Sequence, residues 1–277
     1  MFMKRGSGNG ILFSVVTLLL AVLCPVQLCA EEAAGGSSRI HIVSDNVLIN
    51  QRLQPAWGFA AIIETPAMKI LFDTGRDGDI LLSNMRQMLL SPADVDLLFI
   101  SHAHSDHAGG LGVFMAERPD VMLCLTDSTL QSIRRHLPAD IRYTAVSAPM
   151  QIATHIYSTG EMSVGIPEQG LVIETAEGLV IVTGCAHPGI ELMATQAKKQ
   201  SGRDIYMLAG GFHLSRASEK SVRDVISRLK ALDVKKVAPS HCTGKRATEL
   251  FRDAWGDDFI ESGLGAVIPL PPLADKQ

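Results

Sequence analysis

The chain has 277 residues, of which 47% are apolar, 19% charged and 5% aromatic. An apolar fraction of this size excludes a disordered protein and is enough for a substantial core. Lysine and arginine number 25 against 29 aspartates and glutamates, a net charge of −4, so the chain lacks the basic excess that is typical of nucleic-acid binding.

The first 30 residues have the pattern of a secretory signal peptide. Lys4 and Arg5 precede an apolar run at residues 11–24, and Ala30 is followed by two glutamates. Such signals combine a basic start, an apolar centre of about 7–15 residues and a small residue before the cleavage point. An uncleaved anchor helix is the alternative, but a membrane-spanning helix needs about 20 apolar residues. We therefore predict a signal peptide at 1–30 and a periplasmic or secreted protein, without stable membrane association after cleavage.

After a polar linker at 31–38, strands and helices are predicted to alternate to the end of the chain. Short apolar runs bounded by turn residues are typical of buried strands, and apolar residues at helical spacing are typical of amphipathic helices. The predicted strands are 39–47, 57–64, 68–72, 95–100, 121–125, 170–174, 179–183, 205–208 and 236–239, with an extended segment at 259–268. The predicted helices are 80–90, 127–136, 190–199, 219–232 and 245–255. No second linker interrupts this pattern, so 39–277 is predicted to be a single α/β domain.

The strongest chemical signal is the segment SHAHSDHAGG at residues 101–110, directly after a predicted strand. It contains four candidate metal ligands, namely His102, His104, Asp106 and His107. Two of them, His102 and His104, are two residues apart, so on an extended chain they point to the same side. Imidazole and carboxylate together suit Zn²⁺ and its first-row neighbours better than Ca²⁺ or Mg²⁺. The alternative is a surface loop that happens to be rich in histidine. The scarcity of histidine elsewhere in the chain argues against this alternative.

Two further histidines follow predicted strands. His187 lies in TGCAHPG (183–189) and His241 in PSHCTG (239–244). Ligand sites in open α/β sheets gather at the carboxyl ends of strands, so both histidines are candidates for the same site. Cys185 and Cys242 are offset from them by two residues and one residue, and we expect packed thiols rather than ligands.

These motifs resemble the metallo-β-lactamase superfamily over nearly the whole chain after the predicted signal. The resemblance is carried by HxHxDH, by the strand end FDTG (72–75) and by the two later histidines. The phrases TGCAHPG, GGFHL (210–214) and PSHCTG resemble a narrower subgroup, the metal-dependent hydrolases grouped with an archaeal dihydropterin-ribofuranosylaminobenzene phosphate synthase. The resemblance implies an αββα sandwich of two mixed sheets flanked by helices.

The resemblance also implies a site for two divalent transition-metal ions, with Zn²⁺ expected. One ion would be held by His102, His104 and His187. The other would be held by Asp106, His107 and His241. Asp73 corresponds to a buried aspartate that orients the ligand loop without binding metal, and an ordinary turn residue is the alternative.

One departure from the family pattern concerns a bridging aspartate. Many members place it at the end of the strand that here is predicted at 205–208, but this strand runs into AGGFH and offers no carboxylate. His213 is the nearest substitute, as a ligand or as a donor that faces the substrate, and a plain loop histidine is the alternative. The second ion is therefore expected to bind more weakly.

The implied activity is that of a hydrolase acting on a small molecule. A metal-bound hydroxide, formed near neutral pH, would attack an ester, lactone or phosphoester bond, with Asp106 and His213 as catalytic candidates. Two alternatives stay open, a sulfur dioxygenase with a single iron and a non-catalytic metal- or pterin-binding protein. Substrate specificity is expected to lie in a loop at 145–165.

Overall fold

A computed structural model of the chain describes residues 38–275. The predicted signal peptide and nearly all of the predicted linker lie outside these described residues. Within them, no helix is both long and apolar enough to cross a membrane.

The described residues form thirteen strands and seven α-helices. The strands are β1 (Arg39–Ser44), β2 (Ala60–Glu64), β3 (Lys69–Phe72), β4 (Leu97–Phe99), β5 (Met122–Thr126), β6 (Tyr143–Val146), β7 (Met150–Ala153), β8 (Ile156–Ser158), β9 (Leu171–Thr175), β10 (Gly178–Thr183), β11 (Ile205–Gly211), β12 (Lys236–Ser240) and β13 (Val267–Pro269). The helices are α1 (Gly78–Gln87), α2 (Ser105–Ala108), α3 (Leu111–Glu117), α4 (Asp127–Ile133), α5 (Ile190–Ser201), α6 (Glu219–Ala231) and α7 (Lys245–Trp255).

The strands form two mixed sheets. The first has the order β13-β1-β2-β3-β4-β5-β6, antiparallel up to β3 and parallel from β3 onward. The second has the order β12-β11-β10-β9-β8-β7, in which only β10, β11 and β12 are parallel. Parallel neighbours need crossover connections, and in both sheets helices supply them.

The two sheets pack face to face and the helices cover their outer faces. The central core combines side chains of both sheets, for example Phe72 and Phe99 of the first with Val180 and Val182 of the second. Helices α1 and α3 cover the outer face of the first sheet, and α5, α6 and α7 cover that of the second. The αββα sandwich implied by the resemblance is confirmed.

Two of the predicted segments differ from the structure. Residues 145–165, expected to be a specificity loop, contain the end of β6 and the whole of β7 and β8. Strands β6 and β7 lie at sheet edges and β8 is next to the edge. Their pattern is mixed and partly exposed, and Tyr143 at the start of β6 is 43% exposed, so they lack the apolar run that marks buried strands. The extended segment at 259–268 forms regular strand only from Val267 onward, in β13.

Candidate metal centre

The candidate site lies at one edge of the sandwich, where five strands end. Asp73 follows β3 and the segment 101–110 comes after β4, while His187, His213 and His241 come after β10, β11 and β12. The carboxyl ends of neighbouring parallel strands meet at the same edge of a sheet. Each sheet therefore contributes its parallel strands to the site.

The backbone around the site is unusually rich in left-handed conformations. Of seven non-glycine residues with positive φ among residues 38–275, four lie here: Asp73 at 55°, Ala186 at 57°, His213 at 52° and His241 at 50°. Such conformations are uncommon for residues with a Cβ and concentrate at functional sites. They also interrupt the strand alternation from which we expected Cys242 to point away from the site.

Four of the histidines have Nδ1 within hydrogen-bond distance of a neighbouring polar side chain. The pairs are His102 with Ser101 Oγ (2.9 Å), His107 with Asp73 Oδ2 (2.7 Å), His187 with Glu168 Oε2 (2.8 Å) and His241 with Asn46 Oδ1 (2.7 Å). When Nδ1–H donates in this way, the ring orientation is fixed and Nε2 is left as the acceptor, which is the usual arrangement of metal-binding histidines. Asp73 thus has the orienting position that the resemblance implies.

The Nε2 atoms of these histidines lie close to a few other atoms that could also bind a metal. Those of His102 and His241 are buried and have no hydrogen-bond partner among residues 38–275. Asp106 Oδ2 lies 3.7 Å from His107 Nε2 and 3.5 Å from His241 Nε2. A buried polar atom without a partner destabilises a protein by about 1–3 kcal/mol, and a metal ion would remove this penalty.

The donors form two overlapping groups, each with its ligand atoms within 4.8 Å of one another. One group is Asp106, His107, Cys185 and His241, and the other is His102, Cys185 and His187. The exposed ring of His104 lies beside the second group, its centroid 4.8 Å from that of His102 and 4.9 Å from that of His187. The structure therefore brings all six predicted ligands together, and nitrogen, oxygen and sulfur donors of this kind fit a divalent transition metal. That they bind metal stays a prediction.

The protonation states of His102 and His107 suit metal binding. Burial lowers the pKa of His107 to about 4 and that of His102 well below its usual value, so both imidazoles are neutral at neutral pH, as ligands must be. Burial opposes ionisation of Asp106, but the adjacent rings of His241 and His107 outweigh it and lower the pKa of this carboxyl below its usual range. Burial opposes protonation of His241, but the same proximity to Asp106 raises the pKa of this ring.

Sequence reasoning missed Glu168, a fully buried carboxylate. It accepts hydrogen bonds of 2.9–3.1 Å from the backbone N–H groups of Gly184, Cys185, Ala186 and His187, in addition to the His187 ring. Burial opposes its ionisation, but the hydrogen bonds from the side chain and the backbone N–H of His187 hold its pKa well below the usual range. No motif surrounds Glu168 in the sequence. Asn46 was also missed, although the polar triplet 44–46 after an apolar strand is a weak signal for it.

His213 lies beside the histidine cluster but at its exposed margin. Its ring centroid is 4.5 Å from that of His187, and its ring nitrogen forms a third close group with Cys185 and Cys242. A hydrogen bond with Cys242 raises the pKa of His213, although burial opposes the shift. His213 thus lies where either of its predicted roles is feasible, and the choice between them stays a prediction.

A cavity of about 270 Å³ opens over the cluster. Its walls include His104, Asp106 and His213, together with Trp57 and Arg216. The indole of Trp57 is 50% exposed and lies 5.2 Å from the His241 ring, measured between ring centroids. The cavity thus combines the candidate ligands with an aromatic surface and a cationic side chain.

An αββα sandwich with an HxHxDH cluster at its strand ends defines the metallo-β-lactamase class of proteins. A family model described as the metallo-beta-lactamase superfamily matches residues 58–123. The 7,8-dihydropterin-6-methyl-4-(β-D-ribofuranosyl)-aminobenzene-5'-phosphate synthase of Methanocaldococcus jannaschii is 30% identical over 269 residues, covering 77% of this chain and 91% of that enzyme. The chain belongs to the metallo-β-lactamase superfamily, and this synthase is one of its relatives.

Two further proteins are similar to this chain. The uncharacterized protein MJ0448 of the same archaeon is 25% identical over 244 residues, covering 76% of this chain and 92% of that protein. The crystal structure of Tm1679, a metal-dependent hydrolase of the β-lactamase superfamily, superposes with a TM-score of 0.72 at 24% identity, covering 84% of this chain and 99% of that one. The second comparison shows the shared fold.

Proposed function

We propose that the protein is a metal-dependent hydrolase that cleaves an ester, lactone or phosphoester bond in a small molecule. The observation that carries this proposal is the convergence of oriented histidines and Asp106 beside a cavity, with two buried Nε2 atoms that have no partner among residues 38–275. When bound, two ions such as Zn²⁺ would supply hydroxide at neutral pH and polarise the bond to be cleaved.

Some residues of the site would hold the ions, and others orient the side chains of those ligands. The proposed ligands are His102, His104 and His187 for one ion and Asp106, His107 and His241 for the other. Asp73, Glu168 and Asn46 fix the rings of three of these histidines from behind. Orientation of this kind commonly changes metal affinity about 10–100-fold.

Two side chains at the cavity are placed for proton transfer. Asp106 is ionised and partly exposed, so it can orient the attacking water or accept its proton. His213, which also lines the cavity, has a raised pKa and can donate a proton to the leaving group. We therefore propose both as catalytic residues.

The cavity walls favour a small, flat and negatively charged substrate. The exposed indole of Trp57 offers a face for a planar ring, and the Arg216 guanidinium can pair with a carboxylate or phosphate. A volume of about 270 Å³ suits a small molecule or one end of it, and a nucleic-acid substrate is not proposed.

A second candidate function is the binding of a pterin phosphate, with or without turnover. The name of the M. jannaschii enzyme contains both a dihydropterin and a 5'-phosphate, and Trp57 and Arg216 would suit these two groups. The absence of a carboxylate at the end of β11 favours the version without turnover, because the second ion would then be held less firmly.

Metal content and turnover, measured together, test the proposal. Elemental analysis of the purified protein should find about two zinc-like ions per chain, and a chelator should abolish hydrolysis of chromogenic esters, lactones or phosphodiesters until zinc is returned. His241→Ala should abolish turnover. His41→Ala, which removes a β1 ring that is hydrogen-bonded to Glu64 of β2, should not. Metal-loaded protein that hydrolyses none of these substrates would overturn the proposal.

The same preparation separates the alternatives. Quenching of Trp57 fluorescence by a pterin, without turnover, would favour the binding function, and Trp255 offers a buried internal reference. One iron per chain together with oxygen consumption would favour a sulfur dioxygenase.

We also propose that the protein acts in the periplasm or outside the cell. The basis is the pattern of residues 1–30, and cleavage would leave no stable membrane association. The molecular mass of the chain, measured by mass spectrometry on protein isolated from the producing cells, tests this, since cleavage near Ala30 removes the first 30 residues. A full-length chain in the cytoplasm would contradict it.

A further inference from the structure

The position from which a bridging carboxylate would come has no room for any side chain. β11 ends at Gly211, and a Cβ built there would lie 2.4 Å from the Gly184 carbonyl oxygen and 2.7 Å from Cys242 Sγ. Contacts below 3.0 Å are sterically forbidden for real side chains. The missing aspartate is therefore a feature of the packing here, and the space beside Gly211 is filled by sulfur.

The second thiol, that of Cys185, lies inside the cluster of candidate ligands. Its Sγ is 3.2 Å from His107 Nε2, and it is the one member that the two close groups of donors share. The residue is 3% exposed, and its backbone N–H donates to Glu168 at 2.9 Å. The loop is thus fixed so that one sulfur reaches both candidate metal positions.

Each of the two groups also contains a buried imidazole nitrogen that has no hydrogen-bond partner in the described part of the chain. His102 Nε2 belongs to the group with His187, and His241 Nε2 belongs to the group with Asp106 and His107. These two atoms point to a ligand at each position independently of the sulfur.

We propose that Cys185 is a metal ligand whose sulfur is shared by both ions and replaces the missing carboxylate. This inference rests on the metal site of the proposed function. On binding, the thiol releases its proton to solvent and the sulfur coordinates as a thiolate, since a coordinating thiol is deprotonated outright. Thiolate is a soft ligand that favours zinc and iron over magnesium and manganese, so the site discriminates against the last two.

Cys242 is the matched control, because it is adjacent and buried yet belongs to neither of these two groups. Its Sγ lies 3.8 Å from the Cys185 carbonyl oxygen and it groups instead with Cys185 and His213. If the sulfur came from Cys242, the inference would be wrong even though a thiolate was present.

X-ray absorption of the reduced, zinc-loaded wild-type protein tests the inference without any substitution. Sulfur scatters at about 2.3 Å from zinc, whereas imidazole nitrogen and carboxylate oxygen lie at about 2.0–2.2 Å. With two zinc ions per chain, a shared sulfur gives one sulfur for each zinc. Half a sulfur per zinc would mean that Cys185 binds one ion only, and no sulfur would mean that it is a packed thiol; either result overturns the inference.

Cobalt-substituted variants then assign the sulfur. Wild type and Cys242→Ser should both show the intense near-ultraviolet charge-transfer absorption of a cobalt thiolate, and Cys185→Ser should lose it. Cys185→Ser should also bind the second ion at least about tenfold more weakly, by analogy with the 10–100-fold effect of losing orienting groups alone. Should Cys185→Ser not fold, as judged by circular dichroism, the wild-type scattering still decides.

Failure of this inference is distinguishable from failure of the proposed function. Wild-type protein that binds two ions through nitrogen and oxygen alone contradicts the role of Cys185 and leaves the hydrolase intact. Wild-type protein that binds no metal overturns both.

Discussion

Glu168→Gln is the substitution for which the structure makes the sharpest prediction. The glutamine has the same shape, and its carbonyl oxygen can still accept the bonds from the N–H groups of residues 184–186, which all go to Oε1. The other carboxylate oxygen becomes an NH₂ group. It then faces two donors, the backbone N–H of His187 at 3.0 Å and its Nδ1–H at 2.8 Å.

The expected loss follows from these two contacts. A buried donor left without an acceptor destabilises a protein by about 1–3 kcal/mol, so two donors predict a loss of about 2–6 kcal/mol. The His187 ring can recover one bond by moving its proton to Nε2, but Nε2 is then no longer free to bind metal. Metal affinity should therefore fall about 10–100-fold.

Urea unfolding of the metal-free protein measures the first effect, and competition with a chelator measures the second. The control is Glu174→Gln, which changes a glutamate whose contacts with His155 and Tyr157 are longer, at 3.4 and 3.3 Å. It should lose less than about 1 kcal/mol and leave metal affinity unchanged. If Glu168→Gln unfolds at the same urea concentration as wild type and binds zinc as tightly, the carboxylate does not organise this loop and the reasoning is refuted.

Three further predictions concern other residues of the site. His213→Ala should lower metal occupancy or turnover, measured by elemental analysis and steady-state kinetics, and unchanged values would return it to an ordinary loop residue. Burial raises the folded-state pKa of Asp45 to about 6 from an ordinary 3.8, so the native state binds more protons between these values and its stability falls as pH rises. In the metal-free protein, the free energy of unfolding of Asp45→Asn relative to that of wild type should therefore rise by about 2 kcal/mol from pH 4 to pH 7. Urea unfolding at several pH values measures this difference, and a difference that does not change with pH would contradict the raised pKa. Gly211→Ala should destabilise the protein by about 1–3 kcal/mol through overpacking. Gly112→Ala, in open space on α3, should stabilise it by about 0.5–1 kcal/mol; equal effects of the two alanines would show that residue 211 is not crowded.

The sequence was most informative where the evidence is local. The strands on either side of the turns at 65–66 and 176–178, and the helix α7 (Lys245–Trp255), follow from short-range hydrophobic patterns. The strands β6, β7 and β8, at or next to sheet edges, were missed because their partly exposed residues lack such a pattern. The short helices α2 and α3 were also missed. Local signals thus predicted most elements, and failed for short elements that depend on tertiary contacts.

The same division applies to the site. The sequence by itself determined the six candidate ligands, because four lie within six residues and the other two directly follow strands. Tertiary structure decided which groups orient them: Asn46 meets His241 across 195 residues of chain, and Glu168 reaches a loop that no motif connects to it. Tertiary structure also directs the Cys185 side chain toward the cluster of candidate ligands, because the buried Glu168 carboxylate and the left-handed backbone at Ala186 set the shape of the loop after β10. Long-range contacts of this kind depend on the closed fold, and no spacing along the chain encodes them.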